Sequence, residues 1–248
     1  MSGNAFKEMD IKRVDHQAYN KIKSFLSEIF DCMIEPIGST QFFEDQELTA
    51  RIKDTGDADF AIQMSKDLIK EIAQRNKNFL SLKMFGNTLS TALQIEDFVY
   101  HVDLMTSKNT DHEAWIMTGG SPQIKGVMRN ILLSFIARKH SEKQSTEVEV
   151  LKWTVAYPGG IGLKVNGSNP KNRDTDPKII LETLGLYEKP SDVEFTRTFE
   201  GLVEYIEWTQ DLFESFSEYA KSQWLYKKQP DVIDNALSFL KDNYIDYL

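Results

Sequence analysis

Two short apolar stretches in this chain carry aspartates where the interior of a strand resists an unpartnered charge. DADFAIQM, residues 57–64, alternates as a strand does, with Ala58, Phe60 and Ile62 on one face and Asp57, Asp59 and Ala61 on the other. VYHVDLMT, residues 99–106, reads as another strand and holds Asp103 among apolar neighbours. Ionised carboxylates are disfavoured at such positions unless something balances their charge. Three of them on two strands able to neighbour each other ask for a cation. An oxygen-only ligand set suits Mg²⁺, which takes a few carboxylates, waters and substrate phosphates. Two such ions about 4 Å apart can activate an attacking hydroxyl and stabilise a leaving pyrophosphate.

Upstream, CMIEPIGST reads as a short strand that runs into a turn at Gly38-Ser39. A glycine turn lets backbone N–H groups come close to a phosphate, and the serine hydroxyl adds a donor. The competing reading is a plain strand-ending turn. Lys125 and Arg129 lie four apart on one face of the helix expected to begin near Gln123, just after Gly119-Gly120-Ser121. Cations at the start of a helix suit a triphosphate. The competing reading for both is a solvated helix face. His101 shares the strand face of Asp103 and is expected to be a partly exposed strand histidine. His112 and His140 have no zinc-ligand spacing. A second D-x-D, in RDTDPK at 173–178, sits in a polar linker and is expected to be a solvated loop.

The rest of the chain supplies a scaffold. Residues 11–30 have helical spacing, and Ser65 is placed to cap a helix over SKDLIKEIAQRN. FLSLKMFGN and STALQIEDF read as strands joined at Gly86-Asn87, and 40–56 reads as a polar loop. A strong helix over QIKGVMRNILLSFIARKHS precedes a hairpin turning at Pro158-Gly159-Gly160. The last third is mostly helical, with aromatics at helix-packing steps. The expected architecture is α+β: a small mixed or antiparallel sheet flanked by helices over 1–165, then a helical C-terminal part over 178–248.

Composition narrows the function. With 29 basic and 38 acidic residues, the net charge of -9 excludes a basic nucleic-acid coat, though not a local basic face. The single cysteine, Cys32, forbids an intrachain disulfide, fits a reducing compartment, and is expected to be a buried small side chain. The N-terminal residues lack the apolar run of a signal peptide, and no stretch approaches the ~18 apolar residues of a membrane span. The expected location is the cytoplasm, that of the host if the protein is viral.

The order IGS at 37–39, DADF at 57–60 and VDLM at 102–105 resembles the polymerase-β-like nucleotidyltransferase superfamily. The wider text also looks like nucleotidyltransferase-type proteins of bacteriophages and bacteria, over roughly residues 20–165. The resemblance implies that Asp57 and Asp59 ligate two Mg²⁺ ions and the NTP phosphates. It implies that Asp103 ligates the catalytic metal and helps deprotonate the acceptor, and that Gly38 and Ser39 contact the β- and γ-phosphates. The implied reaction moves an NMP from an NTP to an acceptor hydroxyl and releases pyrophosphate. The acceptor would be an RNA, tRNA or DNA end ahead of a protein or a small molecule. The alternative is a nucleotide-binding or regulatory module that keeps the fold without catalysis. The 17 residues between Ser39 and Asp57 exceed the family's usual spacing, so this acidic, aromatic-bearing loop either folds over the nucleotide or is an insertion.

Overall fold

Helix α1, His16–Phe30, begins where the Asp15 carboxylate accepts a hydrogen bond from the Ala18 N–H at 2.8 Å. That cap starts the helix later than the periodicity of 11–30 suggests. The residues before it instead form strand β1, Ile11–Lys12, and a bridge between Val14 and Thr55. Replacing Asp15 with Ala is expected to cost about 1 kcal/mol and to lower the melting temperature by about 4 °C, measurable by calorimetry.

The computed structural model describes residues 6–44, 52–117, 124–146, 149–156 and 160–245. They fall in two compact units, Met1–Ala114 and Trp115–Leu248. The first is a mixed α/β unit. Its strands are β1, β2 (Ile34–Pro36), β3 (Ala58–Ile62), β4 (Phe79–Phe85), β5 (Thr88–Ile95) and β6 (Phe98–Thr106). Their order is β2-β3-β6-β5-β4, with β1 parallel to the first residues of β6. β3 and β6 are parallel neighbours, and the other pairs on the path are antiparallel. The β4–β5 turn falls at Gly86-Asn87 as the sequence indicates, and Gly86 takes the left-handed conformation (φ 60°) that glycine adopts without strain.

Alternation decides what each face of this sheet does. Phe60, Ile62, Val102 and Leu104 are fully buried and form one core with Tyr19, Ile22 and Leu26 of α1 and with Ile69 and Ala73 of α2, Lys66–Arg75. Each such large apolar side chain contributes about 1.5–3 kcal/mol relative to exposure. Ser65 caps α2 as expected, accepting from the Leu68 N–H. The polar residues of β3 and β6 are left for the opposite face.

Helix α3, Thr110–Met117, carries the chain into the second unit. There α4, Gly126–Gln144, is followed by the hairpin β7 (Leu151–Ala156) and β8 (Gly160–Val165). After it come α5 (Pro177–Leu184), α6 (Ser191–Phe195), α7 (Phe199–Val203), α8 (Gln210–Ser222), α9 (Trp224–Lys228) and α10 (Pro230–Leu240). The C-terminal part is helical as expected, but more broken than its periodicity suggests. The division at 114/115 falls well before the boundary expected at 166–178. The reason lies in α4. Met128, Ile131, Leu132, Leu133, Phe135 and Ala137 are all buried, so apolar contacts surround the helix. They share one core with Phe199, Trp208, Phe216 and Leu240 of the C-terminal helices. The hairpin docks on the same helix, where Ser141 Oγ accepts the Trp153 N–H at 2.6 Å. No described helix is long and apolar enough to cross a membrane.

Candidate metal and phosphate site

The register of β3 against β6 sets Asp59 directly opposite Asp103. Across the other edge of β6, Ser90 of β5 stands opposite Asp103. Asp59, Asp103, Ser90 and, two residues along β6, His101 therefore share the face of the sheet opposite the core formed with α1 and α2. Asp57 lies just before β3. The Thr55 hydroxyl donates to the Asp57 carbonyl oxygen at 2.7 Å, and Thr55 itself exchanges both backbone hydrogen bonds with Val14 (2.8 and 2.9 Å). The D-x-D is thus fastened to the chain on both sides of its first carboxylate.

The Gly38-Ser39 stretch closes on the same point. The Ile37 N–H donates to the Asp59 carbonyl at 2.9 Å, and the Asp59 N–H donates to Thr40 Oγ1 at 2.8 Å. Gly38 has φ 59°, and a Cβ built on it would lie 3.2 Å from Asp59 Oδ2. Only glycine meets both conditions without displacing the carboxylate. Gly38→Ala is expected to cost about 1–2 kcal/mol from the left-handed backbone alone. It is also expected to weaken metal-dependent NTP binding in calorimetry, because Asp59 must shift. Ser39 is exposed at the start of the 3₁₀ helix Gly38–Phe43.

Burial, then the neighbouring carboxylates of Asp57 and Asp103, push the Asp59 carboxyl well above its usual range. Without a cation, this is the cost of crowding three carboxylates on a sheet face. A divalent ion among them reverses its sign, since opposite charge favours the ionised form. The donor set fits such an ion. Asp57, His101 and Asp103 each bring a ligand atom within 4.8 Å of the other two.

His101 is where the structure departs most from the sequence reading. It is buried, only 3% exposed, and not a partly exposed strand residue. β1, β3 and β5 all pair with β6, and the Phe6 ring covers the imidazole edge-on at 5.3 Å. Its Nε2 lies 2.8 Å from Ser90 Oγ and 3.1 Å from Asp103 Oδ1, and its Nδ1 lies 3.7 Å from Asp57 Oδ2. The signal was available, because H-x-D on a strand places both side chains on one face; the burial was not. Thr40, which positions Asp59, carried no signal beyond standing beside Ser39.

Other expected site residues fare differently. Arg129 is fully buried in the second unit, not on a solvated face open to phosphate. Its guanidinium stacks on Trp115 at 3.9 Å and donates to the carbonyls of Thr196 (2.7 Å) and Trp115 (3.1 Å). Burial, with Arg197 nearby, lowers its pKa to about 9. Apolar residues on both sides of Arg129 in α4 explain the difference: that position faces the core. Lys125, at the N-cap of α4 in the same unit, is exposed and donates to Gln229 Oε1 at 3.0 Å. Gly119-Gly120-Ser121 lie outside the described residues. In the stretch expected to be a loop over 40–56, Thr40, Phe42 and Phe43 are buried in or beside the 3₁₀ helix, and Glu44 is held by Tyr19 and Lys23. Residues 45–51 lie outside the described residues. The second D-x-D is a helix cap, not a solvated loop: Asp174 Oδ1 accepts the Asp176 N–H, and Asp176 caps α5. Cys32 is half-buried, and its thiol is pushed up by burial and by Asp31. No protein-family model matches the chain, and no curated protein matches it.

Proposed function

We propose that the protein is a Mg²⁺-dependent nucleotidyltransferase that moves an NMP from an NTP to an acceptor hydroxyl. One observation carries the reading: Asp59 stands opposite Asp103 in adjacent parallel strands, with Asp57 beside them and Gly38 packed against the Asp59 carboxylate. Asp57, Asp59 and Asp103 would hold two Mg²⁺ ions, which supply positive charge to the triphosphate and to the departing pyrophosphate.

The chain's own groups divide the remaining work. Asp103, opposite Asp59 on β6, accepts the proton of the acceptor hydroxyl as that oxygen forms its bond to the α-phosphorus. The bond from the α-phosphorus to the bridging oxygen breaks, and pyrophosphate leaves with that electron pair. The exposed Ser39 hydroxyl and the backbone at the Gly38 turn donate to the β- and γ-phosphate oxygens. The tie between Thr40 and the Asp59 N–H keeps this phosphate-binding turn and the carboxylates in one register.

Nucleic-acid 3′ ends, RNA, tRNA or DNA, are the first acceptors to try, ahead of proteins and small molecules. Purified protein with Mg²⁺, an NTP and the right acceptor is expected to release pyrophosphate, and chelation of the metal to stop it. Metal-dependent NTP binding with no pyrophosphate across the whole acceptor panel would replace this reading with that of a catalytically silent nucleotide-binding module.

A further inference from the structure

We propose that a patch of lysines around Trp224, in the second unit, binds single-stranded nucleic acid. The patch would hold the acceptor strand of the proposed transfer, but strand binding itself needs neither metal nor NTP.

The sequence sets the patch apart. Residues 219–230, YAKSQWLYKKQP, hold three lysines and no carboxylate in a chain with 38 acidic residues; Glu218 and Asp231 bound the stretch. It runs from the end of α8 through α9 into α10. Leu225 is buried and pins α9 to the core of the second unit, which fixes where the rest of this short helix points. Trp224, Lys227 and Lys228 are exposed, and at steps of three and four they are neighbours on the helix surface. Lys228 Nζ stands 5.4 Å from the centre of the Trp224 ring. Lys221 Nζ, from the last turn of α8, stands 6.0 Å from the centre of the Tyr226 ring. A fourth lysine arrives from far away in sequence. Lys125, at the N-cap of α4, donates to Oε1 of Gln229, the residue that ends α9, at 3.0 Å.

Four cations thus gather in an acidic protein. Among the described residues, Lys221 and Lys227 form no ion pair with a carboxylate. Like charges side by side repel one another, and a polyanion relieves that repulsion while it releases its own counterions. The tryptophan decides which polyanion. Trp224 is 54% exposed, whereas Trp115 and Trp208 are buried. A flat ring beside cations matches an unstacked base beside its phosphates, and every base offers a face to stack. A duplex keeps its bases stacked and away from such a ring. A lipid surface asks for a row of apolar side chains, and Leu225 is turned inward.

The test uses the full chain without metal or NTP. Its probes are fluorescein-labelled oligo-dT and oligo-U of about 15 nucleotides and a duplex of the same length, read by anisotropy. Both single strands are expected to bind, and more tightly than the duplex. Their affinity falls with salt along a double-logarithmic slope of about −2 to −3, the value for three or four phosphate contacts on a single strand. Trp224→Ala weakens binding at least about fivefold and leaves the slope unchanged, whereas Trp224→Phe keeps most of the affinity. Lys221→Gln with Lys227→Gln makes the slope shallower by about 1.4. All three positions are exposed, so parental melting temperatures are expected for these variants. A preference for either single strand supports the proposal and tells an RNA strand from a DNA strand. A parent protein that binds neither strand overturns it. So does a duplex bound as tightly as the single strands, or an affinity that neither the Trp224 nor the lysine variants change. Binding to vesicles of anionic phospholipid in place of the oligonucleotides also overturns it and makes the patch a membrane contact. Asp57→Asn combined with Asp59→Asn is expected to bind the strands as the parent does. Strand binding without pyrophosphate release would leave this proposal standing and remove the transferase reading; pyrophosphate release onto a small-molecule acceptor without strand binding would do the reverse.

Discussion

Asp57→Asn combined with Asp59→Asn is expected to reduce pyrophosphate release by at least on the order of a thousandfold, about 4 kcal/mol of barrier, with the fold intact. Asp59 acts on function and on stability in opposite directions, and the single variant Asp59→Asn shows the second effect. The Asp59 carboxyl is held above its ordinary range by burial and by Asp57 and Asp103. A carboxyl raised in the folded state favours folding when it is protonated. Its contribution is present below the ordinary value of 3.8 and is lost as pH rises through the folded value. Without metal, ionising Asp59 as pH rises through the folded value therefore weighs against the fold. Asn, which keeps the shape and loses the charge, is expected to raise the melting temperature of the metal-free protein by roughly 2–4 °C, the shift that about 1 kcal/mol makes in a chain of this size. Divalent metal is expected to raise the melting temperature of the parent protein and to raise that of Asp59→Asn less. A variant that is both inactive and less stable without metal would show that Asp59 serves the fold.

Arg129→Ala is expected to act on stability and not on nucleotide affinity. Two charge-assisted hydrogen bonds end on the carbonyls of Thr196 and Trp115, and such bonds contribute about 1.5–3 kcal/mol each. The substitution strands both carbonyls and opens a cavity against the Trp115 ring. A loss of roughly 3–5 kcal/mol follows, seen as a drop of about 10 °C or more in the unfolding of the second unit. Arg129→Met fills the space and removes a desolvated charge, so it is expected to cost less. NTP affinity of the folded Met variant should match that of the parent protein. A Met variant with parental stability and much weaker NTP binding would return Arg129 to the phosphate-contact role its position on the helix first suggested.

The contrast between Asp59 and Arg129 shows where the sequence was legible. Alternation over 57–62 and 99–106 assigned faces correctly because a strand's period is two and one face is a packed core. It also brought Asp57, Asp59 and Asp103 together. The positions of the strands and the turn at Gly86-Asn87 followed from the same local rules. Arg129 was misread because four-residue spacing with Lys125 says that two side chains share a face, not which way that face points; Trp115, 14 positions upstream, and Thr196, 67 positions downstream, decide it. His101 was legible in direction and not in burial, because its cover comes from Phe6, 95 positions upstream, which alternation within the strand does not show. The division at 114/115 was hidden for a similar reason: the apolar circumference of α4 is local, but its partners lie in the last third of the chain.

The central claim is that Asp57, Asp59 and Asp103 form a two-ion site for an NTP, and a crystal structure with Mg²⁺ and a non-hydrolysable NTP tests it most directly. The prediction is density for two ions among the three carboxylates, with the triphosphate running along the Gly38-Ser39 turn. A nucleotide bound elsewhere, or bound here with no ion on Asp59 or Asp103, would contradict it.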